Sequence, residues 1–197
     1  KAAEELLRTD TLSRTAVISF CDPPSVGKPA PTPPLDYAGK AAQVFTVVVH
    51  DLDLTALPDV GLDYDTYMPE ADALAAFICQ ARSDGLDILC QCEYGQSRSA
   101  ACAAAILEYF NGTGTSVFAD YRYYPNQVVY HKIMDAGTGR RRSHPLDFPV
   151  KALYHISTTE DQPCAVVYSL KFRTLRRVAS RRSVYQEDAR FASEATA

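Results

Sequence analysis

The stretch Cys92-Glu93-Tyr94-Gly95-Gln96-Ser97-Arg98-Ser99 places a thiol six residues before a guanidinium, with Gly95 and Ser97 between them and Ser99 just after. A turn that leaves a buried strand and opens a helix points successive backbone N–H groups into one concavity. The positive end of the helix adds to the pull of that concavity on an anion. A cysteine at its base is favoured as the thiolate, the nucleophilic form. An arginine at the far rim can meet two phosphate oxygens with its planar fork, and Gly95 lets the loop close with no side chain in the way. These residue types fit attack by the Cys92 sulfur on a phosphoryl group. Its oxygens would be held by the Arg98 side chain and by the backbone of Glu93, Tyr94, Gly95, Gln96, Ser97 and Arg98.

Such a loop needs a strand before it and a helix behind it. Leu86–Cys90 reads as a short buried strand, and Ser99–Phe110 as an alanine-rich helix closed by Asn111-Gly112. Upstream, Thr15–Cys21 is a compact apolar run and Val44–Val49 a β-branched one, both buried strands by composition. Between them, residues 22–34 hold six prolines and must form an extended loop. A helix is expected from about Pro69 to Arg82, with Leu74, Phe77, Ile78 and Ala81 along one face. Residues 116–136 suggest one or two helices broken at Tyr124-Pro125-Asn126, and residues 1–12 a short helix. Strands alternating with helices indicate an α/β fold, a central, mostly parallel sheet flanked by helices.

With those elements in place, Cys92–Ser99 resembles the C-x5-R signature of the protein tyrosine phosphatase superfamily. Gly95, Ser97 and Ser99 make it most similar to the G-x-S-R-S form of dual-specificity phosphatases, in particular small bacterial and phage-type members. Tyr124-Pro125-Asn126 followed by Val129-Tyr130 also has a counterpart there. The resemblance covers roughly residues 14–137. It implies a phosphocysteine formed on Cys92, oxyanion binding by Arg98 and the loop, and a Ser99 hydroxyl that helps the thiolate leave. It implies no metal and no cofactor. A general acid must protonate the leaving oxygen, from a loop at the carboxyl edge of the sheet. Asp51, just after the Val44–Val49 strand, matches where the family carries that acid; Asp53, Asp59, Asp63 and Asp65 are the alternatives. One departure is Gln91, where the family usually has a histidine that hydrogen-bonds the loop. With it, a phosphate-binding module without turnover stands as the alternative reading.

The rest of the chain constrains function less. Of 197 residues, 47% are hydrophobic and 22% charged, enough for a packed core. No apolar run approaches the roughly 20 residues of a membrane span, and the N-terminal residues lack a signal-peptide pattern. A cytoplasmic protein acting on phosphorylated proteins or peptides, with no membrane partner, is the expectation. The cysteines, Cys21, Cys79, Cys90, Cys92, Cys102 and Cys164, form neither a zinc pattern nor a disulfide framework. Cys90 shares a strand face with Cys92 and reads as core packing. The net charge of −4 is uneven: residues 1–139 hold nine basic against 18 acidic residues, and 140–197 eleven against six. The basic C-terminal extension, 138–197, reads as a hairpin across Thr159–Gln162 followed by a flexible tail. Nucleic-acid binding through that tail is a lesser alternative. Tyr121, Tyr123, Tyr124 and Tyr130 fit either a half-buried helix face or a rim around the loop.

Overall fold

Three parallel strands carry the site: β1 (Thr15–Cys21), β2 (Gln43–Val48) and β3 (Asp87–Gln91). In the computed structural model, which describes residues 7–8, 12–24, 34–141, 152–156 and 168–172, β1 lies between the other two. It pairs in parallel with both, Ala16 opposite Gln43 and Ser19 opposite Gln91. This position explains why TAVISFC reads as an unbroken apolar run: a central strand covered on both faces has no solvent side to alternate toward. Six of its seven residues are buried. β2, at the edge, alternates instead, with Val44 and Val48 exposed and Val47 buried.

Among the described residues, the sheet is accompanied by the helices α1 (Ala71–Ser83), α2 (Arg98–Asn111), α3 (Thr115–Phe118) and α4 (Gln127–Arg141). The main core joins one sheet face (Ile18, Phe20, Val47, Ile88, Cys90) to Leu74 and Ile78 of α1, the alanines of α2 and Val129 of α4. The opposite face carries a smaller cluster of Val17, Leu89, Leu12 and Tyr37. Because side chains alternate across a strand, Cys90 and Cys92 belong to the helix-covered face and Gln91 to the other. The alanine run in α2 is what lets that helix lie close on the sheet; Ala100 to Ala105, with Cys102 among them, are fully buried. Gly112 ends α2 in a left-handed conformation, φ 69°, as Asn111-Gly112 indicates.

Several boundaries move. The second strand ends at Val48 and the third starts at Asp87, each one residue from its expected limit. α1 begins at Ala71 rather than Pro69: Met68 is left-handed, φ 54°, and Glu70 is the N-cap, its carbonyl accepting the Leu74 N–H at 2.9 Å while its carboxylate accepts the Val48 N–H at 3.3 Å. Residues 54–60 are two short 3-10 turns. The break at Tyr124-Pro125-Asn126 separates α3 from α4.

The sheet as a whole is mixed rather than mostly parallel. β4 (Ala152–Ile156) and β5 (Tyr168–Phe172) pair antiparallel with each other, and β5 adds antiparallel to the free edge of β3, giving the order β2-β1-β3-β5-β4. The link between these two strands is too short for the crossover a parallel pair needs. The link itself, the proline-rich residues 25–33, the Arg140–Arg142 side chains, the 173–197 tail and most of the N-terminal segment lie outside the described residues. No described helix is long and apolar enough to cross a membrane.

Candidate functional site

Asp22, Asp51 and Cys92 each follow closely on the carboxyl end of one of the three parallel strands. That edge is where an open α/β sheet offers ligands its strand-to-helix turns. The loop from Cys92 to Ser97 joins β3 to the first turn of α2, so its backbone sits on the positive end of a fourteen-residue helix.

The Cys92 sulfur is buried and draws two contacts. The Gly95 N–H donates to Sγ at 3.2 Å, and Ser99 Oγ lies 3.1 Å away. A hydroxyl and an amide thus converge on one sulfur. Gly95 is left-handed, φ 73°, a conformation that turns its N–H back toward Cys92 and that other residues rarely adopt. The backbone N–H groups of Tyr94, Gln96, Ser97 and Arg98 donate to no described residue. Ser97, at the helix N-cap, does not cap α2 with its hydroxyl. That hydroxyl goes to Asp51 Oδ1 at 2.6 Å, which leaves the helix end open to an anion.

Arg98 is the largest fully buried side chain among the described residues, 2% exposed. Its Nη1 donates to Asp22 Oδ1 at 2.6 Å and to the Val49 carbonyl at 2.9 Å. Its Nε makes no hydrogen bond, although Asp51 Oδ2 stands 3.7 Å off. A buried guanidinium donor without a hydrogen bond is costly, and the Asp51 carboxylate is the charge that stands beside it. Sequence reasoning gives Asp22 no role beyond opening a proline-rich loop, because its place, the first residue past a strand that lies between the other two, follows from strand order and from no local pattern.

Asp51 is fixed by two donors on Oδ1, Ser97 Oγ and Asn126 Nδ2 at 2.9 Å. Asn126 spends its other amide hydrogen on the Leu52 carbonyl, at 3.0 Å, and accepts the Val129 N–H on Oδ1 at 2.9 Å. Asn126 thus N-caps α4 and clamps the Asp51 loop in one stroke. The Tyr124 N–H donates to the Gln96 carbonyl at 2.9 Å, so this break between helices is one wall of the loop. The structure therefore brings Cys92, Arg98, Ser99 and Asp51 together. Asp53 is exposed just beyond, and Asp63 is turned into a local knot with Thr66, whose hydroxyl and N–H hold the Asp63 carboxyl below its usual range.

Gln91 does not enter the concavity. It faces the other side of the sheet, accepts from Ser19 Oγ at 2.8 Å and donates to the Cys92 carbonyl at 3.0 Å. It braces the strand end that carries the cysteine. Cys90 and Cys102 touch beneath the loop, where burial and the Cys90 thiol push the Cys102 thiol well up. Glu93 and Tyr94 are exposed on the outer side of the loop. Among the described residues, no three His, Cys, Asp or Glu side chains gather to hold a metal ion. Comparison with protein-family models, curated proteins and solved structures finds no match for the chain.

Proposed function

We propose that this protein is a cysteine-dependent phosphatase of the dual-specificity type, hydrolysing phosphate monoesters on proteins or peptides. The observation that carries the reading is the pairing of a buried, donor-contacted Cys92 sulfur with a cradle whose donors are unspent. Among the described residues, four loop N–H groups lack partners and the Arg98 Nε makes no hydrogen bond, only a 3.7 Å ion pair with Asp51. A tetrahedral dianion with three peripheral oxygens is a ligand that such a donor set suits.

In the first step the Cys92 thiolate attacks phosphorus. The S–P bond forms as the bond to the leaving oxygen breaks, and Asp51 gives its proton to that oxygen. In the second step water attacks phosphorus and the S–P electron pair returns to sulfur, helped by the Ser99 hydroxyl. The Asp51 carboxylate takes the proton from water. Arg98 and the loop N–H groups hold the equatorial oxygens throughout.

One feature favours the alternative of a phosphate-binding module without turnover: Gln91, where the family usually has a histidine, bonds to Ser19 Oγ and the Cys92 carbonyl on the other side of the sheet and not to the loop's concavity. Hydrolysis of a small aryl phosphate across pH 5 to 8 by wild type, Cys92→Ser and Asp51→Asn separates the two. A phosphatase loses turnover in Cys92→Ser and loses its acid-dependent limb in Asp51→Asn. A binding module shows no turnover in any form, but retains phosphate affinity that Arg98→Ala removes.

A further inference from the structure

The surface around the cradle has a chemistry of its own. Tyr94, in the loop, is 59% exposed, and Tyr124, whose backbone is tied to Gln96, is 74% exposed. Tyr121, on the same segment as Tyr124, is 87% exposed. Large aromatic rings standing in water beside a donor-lined concavity are the exception on a protein surface and the rule at recognition surfaces.

Among the described residues, the charge beside these rings is mostly negative. The segments 50–53, 92–99 and 119–126, which meet at the cradle, carry four carboxylates (Asp51, Asp53, Glu93, Asp120) and two arginines. Both arginines are engaged, Arg98 with Asp22 and Arg122 with Asp120, and the Arg122 guanidinium lies over the Tyr123 ring. Asp53 and Glu93 are exposed, and the Asp53 side chain caps nothing. A cradle for a dianion is thus ringed by carboxylates and tyrosine faces. A polyanion such as a nucleic acid would bring further phosphates against that ring and be repelled. Lysine and arginine side chains have the opposite fit, to carboxylates by charge and to tyrosine faces by cation–π attraction.

We propose that this rim selects phosphorylated peptides bearing Lys or Arg within a few residues of the phosphorylated side chain, with Tyr94, Tyr124, Glu93 and Asp53 as the specificity-determining residues. The proposal deepens the phosphatase reading and rests on it for the position of the phosphate.

The test compares three phosphotyrosine peptides with arginine, alanine or aspartate flanks, a 5′-phosphorylated oligonucleotide and a small aryl phosphate. Each is turned over by wild type, by Asp53→Asn/Glu93→Gln and by Tyr94→Ala/Tyr124→Ala. Activity on each peptide is normalised to the aryl phosphate for the same variant, which removes any general loss at the loop. The expected result is kcat/KM about tenfold higher for the arginine-flanked than for the aspartate-flanked peptide, the scale of a few solvent-screened charge pairs. That ratio falls toward one in Asp53→Asn/Glu93→Gln and at high salt. In Tyr94→Ala/Tyr124→Ala, turnover of all three peptides falls relative to the aryl phosphate. Equal rates for the three peptides, or the oligonucleotide as the best substrate, with the aryl phosphate still hydrolysed, would overturn the proposal while leaving the phosphatase standing. If wild type hydrolyses nothing, the phosphatase reading fails instead, and the rim is then read by titrating the same peptides onto the protein. Tighter binding of the arginine-flanked peptide supports the rim, and equal binding rejects it.

Discussion

At the scale of single residues, the state of Arg98 governs the site. Asp22 holds one end of the guanidinium at 2.6 Å and the Val49 carbonyl shares that nitrogen, so the side chain is aimed before any ligand arrives. Asp22 is a positioning residue on this account. Asp22→Asn should lower kcat/KM for an aryl phosphate on the order of 10- to 100-fold, because a small misplacement of an oxyanion ligand is expensive in the transition state. It should also weaken inhibition by inorganic phosphate, a readout that loss of stability alone does not move. Unchanged phosphate inhibition in a folded Asp22→Asn protein would remove Asp22 from the site. The convergence of Cys92, Arg98 and Ser99 was legible in the sequence because it is local: one short string carries thiol, guanidinium and hydroxyl. Asp22 was hidden because its role is set by strand register, Cys21 opposite Val48 and Ser19 opposite Gln91, which no local pattern encodes.

At the scale of elements, the break between α3 and α4 does more than interrupt a helix. Asn126 caps α4 through Val129, ties down Leu52 and steadies Asp51. The sequence marks this position as a stop and restart, but only the fold shows that the restart is also a clamp. Asn126→Ala leaves a helix N–H and the carbonyl of half-buried Leu52 without their partner, and should cost about 1–3 kcal/mol in urea unfolding. Asn126→Asp should restore the cap but not the clamp, since its carboxylate cannot donate to Asp51; stability recovers while kcat does not. Recovery of both would show that Asn126 serves the helix alone. At the far end of α2, Gly114 packs against the preceding helix so tightly that a Cβ would press on the Ala104 carbonyl and come within 2.7 Å of Glu108 Cβ. Gly114→Ala should therefore destabilise by about 1–3 kcal/mol, the range for overpacking, measured by the same unfolding curves. The parallel three-strand core and its helices were readable from β-branched runs and 3.6-residue periodicity. The antiparallel addition of β5 to β3 was not, since a hairpin pattern says nothing about which edge it joins.

For the whole molecule, desolvated tyrosines make a prediction about pH. Burial pushes the hydroxyls of Tyr37, Tyr64 and Tyr67 above their ordinary value of 10.0; Tyr67 donates to the His50 carbonyl and Tyr64 to Asp135. The fold keeps these groups protonated where the unfolded chain would release the proton. Their contribution is complete below about pH 10 and is lost as pH rises through and beyond it. Unfolding midpoints should hold steady from pH 8 to 9 and then fall. Tyr67→Phe, although less stable at neutral pH for want of its bond to His50, should fall less. Equal slopes for the two proteins would mean that Tyr67 does not report burial. Tyr67 anchors the strand end that leads to Asp51, so this alkaline loss reaches the site as well as the core.

The most direct test of the central claim is to trap the intermediate. Wild type and Ser99→Ala are mixed with an aryl phosphate, quenched in acid within a turnover and digested for mass spectrometry. The account predicts a phosphate adduct on the peptide containing Cys92, more abundant in Ser99→Ala because the thiolate leaves slowly, and absent in Cys92→Ser. Turnover without an adduct, or an adduct mapped to another residue, would contradict it.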